Sequence, residues 1–285
     1  MNSRVIMRFM RILLPPVFVL ACLCSASAQE GQLSTEQPKG VTVQQIIEKF
    51  AAKEKEFKQA RDQYTFRQDV RVQTLDGDTI NGEYREVFDV TYDNQGHHLE
   101  NVTYAPQSTL TEVSMSPEDL HDLRHLLPFV LTSDEISEYD ILYIGQQQED
   151  ELHCYVFDIA PKTIEKNKRY FQGRIWVDDH DLQVVKTSGK TVPDIRKKNN
   201  ENLFPKFTTW REQIDGQYWF PAYTKADDTL HFRTGSYQDV HIREIIKYTD
   251  YKRFGSKVTV TYQGQEIEKA PPKPDQKPPD EQRLR

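Results

Sequence analysis

Apolar residues at Val43, Ile46, Ile47, Phe50 and Phe57 recur at helical spacing, with lysines and glutamates on the other side. Thr42 followed by Gln45 has the form of a capping box, so the spacing predicts an amphipathic helix from Thr42 to about Ala60. Such a helix must cover something apolar. The period then changes to two. Tyr64, Phe66, Val70 and Val72 fall on one face, with Arg67, Asp69, Arg71 and Gln73 on the other. Asp76-Gly77 marks a turn, Ile80, Tyr84, Phe88, Val90 and Tyr92 continue the alternation, Asn94–Gly96 turns the chain again, and Leu99–Tyr104 reads as a third strand.

A helical interruption follows. Ser116-Pro117-Glu118-Asp119 is a helix start, with proline suited to the first turn. Leu120, Leu123, Leu126 and Leu127 form its apolar stripe, Pro128 ends it, and Phe129 keeps the stretch apolar. This unit reads either as a lid on a concave sheet or as an ordinary crossover packed on the core. From Asp140 strands dominate: Ile141–Gln147, His153–Ala160, Tyr170–Val177, Leu182–Thr187, Lys206–Ile214, Gln217–Lys225, Leu230–Thr234, Val240–Asp250 and Lys257–Tyr262, with a polar loop at Pro193–Asn202. Two aromatic hairpins, Tyr170–Lys186 and Phe207–Pro221, hold all three tryptophans, and Asp215-Gly216 is a strong two-residue turn. About a dozen strands and two helical units predict an α+β domain with one large antiparallel sheet.

The two ends differ from this domain. Arg4, Arg8 and Arg11, the apolar run Ile12–Leu23 and Ala26-Ser27-Ala28 have the three parts of a secretory signal, so residues 1–28 read as a signal peptide cleaved after Ala28. The run is too short to span a bilayer. Val19-Leu20-Ala21-Cys22 offers a second reading, lipidation at Cys22. Residues 29–40 read as a polar linker and residues 41–268 as the folded domain. Residues 269–285, with five prolines in APPKPDQKPPDEQRLR, read as a disordered tail. Beyond the signal only Cys154 remains, which excludes an internal disulfide and requires a large core. Removing the signal takes away three arginines and no acid, moving the formal net charge from −7 to −10. Charges of both signs are interspersed, which argues against nucleic acid and anionic membrane surfaces as partners.

The residues that carry a family resemblance are Tyr84-Arg85-Glu86, Gly173-Arg174-Ile175-Trp176-Val177-Asp178 with Leu182-Gln183-Val184-Val185-Lys186, and Trp210-Arg211-Glu212 through Asp215-Gly216 to Trp219-Phe220-Pro221. With the order of signal, first helix, long strands and central helical insertion, they resemble the LolA-like superfamily of bacterial outer-membrane lipoprotein-sorting and periplasmic lipid-binding proteins. The resemblance covers most of Val41–Asp250. It implies a large curved sheet, an incomplete β-barrel whose concave face is covered by helices. It also implies an exported, periplasmic monomer that holds acyl chains of lipids or lipoproteins or senses such ligands, with no cofactor and no catalysis. The length of the chain and its proline-rich tail depart from the pattern, which leaves carrier, sensor and envelope-protein contact open.

An acyl chain gains about 0.8 kcal/mol for each CH₂ removed from water, so such a function needs an apolar wall and a cover rather than a reactive group. The expected wall is Tyr64, Phe66, Val70, Val72, Tyr84, Phe88, Val90 and Tyr92; the expected cover is Leu120, Leu123, Leu126, Leu127 and Phe129. Plain core packing explains the same pattern. Two other functions stand beside it. His121 and His125, spaced i, i+4, could share a metal in a hydrolase, although Asp122-Leu123 replaces the His-Glu start of the zinc-protease pattern. A filled domain could instead be a structural or sensor module of the envelope. Asp178-Asp179-His180-Asp181 reads as an acidic turn before it reads as a metal loop, and neither a GxSxG motif nor a P-loop nor a dinucleotide fingerprint is present.

Overall fold

The computed structural model describes residues 30–93, 97–125, 130–166, 168–197, 200–233, 237–254, 261–262 and 265–266. The signal peptide, the Asn94–Gly96 turn, Leu126, Leu127, Phe129 and the 269–285 tail lie outside these residues, as does the side chain of His125.

Helix α1 spans Val43–Arg61, and its capping box is formed: the Thr42 hydroxyl accepts from the Gln45 amide at 3.2 Å while the Gln45 side chain accepts from the Thr42 amide at 3.0 Å. Three antiparallel strands follow, β1 (Tyr64–Asp76), β2 (Thr79–Tyr92) and β3 (His98–Tyr104), and then helix α2 (Pro117–His125). Ser116 and Asp119 cap α2 reciprocally, side chain to amide in both directions, at 3.1 and 2.8 Å. After a 3₁₀ turn at Ile136–Glu138 come β4 (Tyr139–Glu149), β5 (Leu152–Pro161), β6 (Tyr170–Asp178) and β7 (Val184–Val192). The polar loop expected after Val192 contains a small hairpin of its own, β8 (Ile195–Lys197) and β9 (Asn200–Asn202). Strands β10 (Phe207–Ile214), β11 (Tyr218–Phe232) and β12 (Gln238–Arg253) complete the main sheet.

Two strands expected from sequence, Gln217–Lys225 and Leu230–Thr234, are one. Ala226-Asp227-Asp228-Thr229 looks like a turn, yet Asp227 sits opposite Arg243 in the β11–β12 ladder. Its carboxylate accepts from Arg243 at 3.0 Å and meets His241 at 2.6 Å. Cross-strand charge pairing holds this polar stretch in the sheet.

Ten strands form one antiparallel sheet in the order β3-β2-β1-β12-β11-β10-β7-β6-β5-β4. The end strands β3 and β4 do not pair, so the barrel is incomplete. A single core draws on both ends of that order: Phe66, Val70, Phe88 and Val90 from β1 and β2, Tyr139 from β4, Phe157 from β5, and Phe171 and Ile175 from β6. Ile46, Ile47, Phe50 and Ala51 of α1 and Leu123 of α2 belong to the same core. The sheet therefore curls around the two helices, and the helices cover its concave face.

The anchor of α1 is an ion pair across this core. The Arg211 guanidinium on β10 donates to both oxygens of Glu54 on α1, at 2.7 and 3.0 Å, and lies over the Phe57 ring at 4.7 Å. Both side chains are almost wholly buried. A two-pronged guanidinium–carboxylate contact fixes position and orientation together.

The tryptophans lie on the other face. Trp176 packs with Cys154, Val156 and Val185 in a separate cluster, with Trp219 beside it. Trp210 stands one residue out of phase with Thr209 and Arg211, which point inward. Buried Lys186 sits 4.6 Å from the Trp176 ring centre and 5.7 Å from that of Trp210, and donates to Glu149 at 2.7 Å and Glu30 at 2.5 Å. Residues 30–34, read from sequence as linker, run beside β4 through bridges Glu30–Glu149 and Ser34–Gln146. The paired hairpins are joined at their tips: Trp219 donates to Asp181 at 2.8 Å, and the Gln183 amide donates to the Gln217 carbonyl at 2.9 Å. At Asp215-Gly216 both residues have positive φ, 52° and 64°, the signature of a type I′ turn.

Candidate functional site

Two cavities open between the helices and the concave face. The first, of about 500 Å³, lies at the unclosed seam, with His98 and Glu100 of β3 on one side and Tyr139 of β4 on the other. Its apolar wall is Phe57 of α1, Phe66 of β1, Val90 of β2, Val130, Tyr170 and Phe171. Its rim carries Lys58, Arg61, Lys168 and Arg169 against Asp62, Glu100, Glu135 and Glu138. Lys58 lies 3.7 Å from Glu135, Lys168 pairs with Glu138, and the Arg61 guanidinium lies 5.3 Å from the centre of the Phe66 ring. Burial pushes the Tyr139 hydroxyl up to about 12, so this wall stays uncharged at neutral pH. The volume falls within the usual range of small-molecule sites, and an apolar wall under a polar rim suits an amphipathic guest.

The second cavity, of about 440 Å³, lies on the other side of α2. Its walls are Val72 of β1, Leu123 of α2, Leu203 and Phe204 after β9, Leu230 and Phe232 of β11 and Ile242 of β12. Arg169 and Thr191 border both cavities, and Arg169 forms an ion pair with Asp122 of α2 where they meet.

The expected wall residues divide among these surroundings. Phe66 and Val90 line the first cavity and Val72 the second. Val70 and Phe88 are buried in the core and line neither. Tyr64 belongs to a smaller cluster with Phe57 and Phe220, where its hydroxyl donates to Asp215 at 2.7 Å. The hydroxyls of Tyr84 and Tyr92 are turned to Glu86 and to the Arg61 carbonyl, at 3.0 and 3.2 Å. Of the expected cover, Leu123 is buried in the core and lines the second cavity, while Leu120 is half-buried and lines neither. Lys58 and Arg61 of α1, the Tyr170-Phe171 pair and Glu244 line the cavities without having been picked out from sequence.

The alternative chemistry finds little geometry. His121 is exposed, with Nδ1 3.7 Å from Asp122. Among the described residues no three His, Cys, Asp or Glu side chains converge as a metal site. In the acidic turn Asp178 accepts from the Asp181 amide at 3.1 Å, and Asp181 accepts from the Gln183 amide at 3.0 Å and from Trp219 at 2.8 Å. These carboxylates are therefore occupied as turn acceptors. Cys154 is buried, and burial pushes its thiol up to about 12. We expect Cys154 to resist iodoacetamide in the native protein at pH 8 and to label promptly in urea; native labelling at a denatured rate would contradict this burial.

The carboxyl of Glu244 is 8% exposed and is raised from 4.5 to about 8, first by burial and then by the charge of Asp119. A group that keeps its proton when folded and loses it when unfolded lowers stability as pH rises between those two values, with no further loss above about 8. Asp69, hydrogen-bonded to Arg85 and Arg71, and Asp227, bonded to His241 and Arg243, are shifted down, and their contribution is lost only on the acid side. Urea midpoints measured from pH 5 to 9 should decline toward pH 8, and Glu244→Gln should flatten that decline; an unchanged slope in the variant would assign it to another group.

No protein-family model matches the chain, and no curated protein sequence matches it. Solved structures similar to it include the following three. A DUF1329 family protein from Desulfovibrio piger aligns over 73% of this chain and 92% of its own, at 15% identity and a TM-score of 0.36. MucB, solved in complex with MucA(peri), aligns over 71% and 98% at 9% identity and a TM-score of 0.20. A LolA superfamily protein from Nitrosomonas europaea aligns over 72% and 94% at 12% identity and a TM-score of 0.30.

Proposed function

We propose that this protein is an exported binding protein that holds an acyl chain of a lipid or lipoprotein in the cavity at the unclosed seam. The observation that carries this reading is the first cavity itself: about 500 Å³ under α1, walled by Phe57, Phe66, Val90, Tyr170 and Phe171 and rimmed by charges of both signs. Ten buried methylenes would contribute about 8 kcal/mol before the cost of immobilising the ligand is subtracted. The rim leaves a polar headgroup in water beside Lys58, Arg61 and Lys168. No reactive group is required, and the ligand is carried rather than converted. Export is supported by the three-part signal sequence at residues 1–28.

The test is to purify the protein without detergent and examine it by native mass spectrometry, with extraction of any bound lipid. Acyl-bearing molecules bound near one per chain are expected. Ligand-free protein that also fails to bind a fluorescent fatty acid would overturn the reading.

A further inference from the structure

Strand β12 turns Val240, Ile242, Glu244, Ile246 and Tyr248 toward the concave face, so Glu244 is a carboxyl at an apolar position. It lines the second cavity, and among the described residues it has neither a hydrogen-bond nor an ion-pair partner. A buried carboxyl without a partner is costly. The charged groups around it are mostly committed. On α2, Asp122 is paired with Arg169, which precedes β6. On β9, Glu201 is paired with Arg196 of β8. Glu112, before α2, accepts from Asn81 at 2.7 Å. Asp119 of α2 accepts from the Ser116 amide at 2.8 Å and from Asn202 at 2.7 Å, both neutral donors. The facing positions on β1 and β11, Val72 and Ala226, carry no charge. Among the described residues, Asp119 and, once it ionises, Glu244 thus give the cavity negative charge with no ion-paired cation beside either.

We propose that the second cavity is a binding site for an amphipathic organic cation, whose ammonium group lies between Glu244 and Asp119 and whose apolar body lies along Val72, Leu123, Leu230 and Ile242. A bare metal ion fits less well. A hard divalent cation takes six to eight oxygen ligands, whereas here Glu244 offers a carboxyl without a donor, Asp119 already accepts from Ser116 and Asn202, and much of the remaining wall is apolar. An alkylammonium supplies the missing charge with one group and fills the remaining volume with carbon. This inference does not depend on acyl binding in the first cavity, since the Asp122–Arg169 pair stands where the two meet. Glu244 is held neutral below about pH 8, so a cation gains most once it ionises.

The test uses decyltrimethylammonium, whose charge does not titrate, and decanol, both below their aggregation concentrations, in calorimetric titrations of the whole protein at pH 6 and pH 9. The cation should bind at least ten-fold more tightly than the alcohol at pH 9, and more tightly at pH 9 than at pH 6. Glu244→Gln should abolish the pH effect and reduce the preference for the cation at pH 9, leaving only what Asp119 supplies, while fatty-acid binding in the first cavity is unchanged. If that variant does not fold, the two wild-type comparisons decide the matter alone. Equal affinity for alcohol and cation at pH 9, absence of the pH effect, or a pH effect that survives in Glu244→Gln would overturn the proposal. Loss of fatty-acid binding alone would bear on the first cavity and not on this one.

Discussion

Replacing Glu54 by alanine should lower the stability of the domain by about 3–5 kcal/mol, because it leaves the Arg211 guanidinium buried without its carboxylate. This is a large share of the 5–15 kcal/mol that separates folded from unfolded for most domains. The loss follows from position. Arg211 is 5% exposed, it also donates to the Val184 carbonyl at 3.2 Å, and the Phe57 ring lies across its face at 4.7 Å. The double substitution Glu54→Leu with Arg211→Met should recover most of the loss, since a buried pair exchanged for apolar residues of similar size is often close to neutral. Urea denaturation of the three variants measures this. A loss under about 1 kcal/mol in Glu54→Ala would mean that α1 is held by its apolar face alone.

The second large effect is on binding. Val90 is 1% exposed and lines the first cavity, so Val90→Trp should push an indole into the space claimed for the acyl chain. Affinity for a fluorescent fatty acid should fall at least ten-fold while the urea midpoint moves little. The contrast separates an open cavity from a filled core, where the added ring would cost about 1–3 kcal/mol through overpacking. Unchanged affinity with a large loss of stability would place the ligand elsewhere.

Much of the fold is legible in the sequence because it rests on local chemistry. The α1 cap, the Asp76-Gly77 and Asp215-Gly216 turns and the alternation in β1 and β2 are short-range signals, and each appears in the structure. The continuity of β11 is not legible in this way, because the partners of Asp227 come from β12, fourteen and sixteen residues away. The role of the tryptophans is equally non-local. Strand alternation alone does not say which of Trp176, Trp210 and Trp219 faces inward, and only the pairing of the strands and the packing of α1 reveal that the opposite face meets the helices.

The candidate site was legible in part. Phe66, Val72, Val90 and Leu123 follow from the apolar pattern. The same pattern also marks Val70 and Phe88, which are buried in the core and line neither cavity, because periodicity reports which face is buried and not whether that face is filled. Lys58 and Arg61 look like the solvated side of an amphipathic helix until the seam between β3 and β4 brings them over a cavity. Glu244 had a usable signal: in Val240–Tyr248 it is the one acid at the apolar phase of a strand, and a buried carboxyl of that kind points to a partner or a ligand.

The most direct measurement is photocrosslinking with a fatty acid that carries a diazirine near the end of its chain, followed by peptide mapping of the labelled protein. The account predicts labels concentrated on Phe57–Gln68, on the β2 segment around Val90 and on Tyr170-Phe171, suppressed by unlabelled fatty acid and by Val90→Trp. Labels confined to the tryptophan face around Trp176 and Trp219, or spread over the surface without competition, would contradict it.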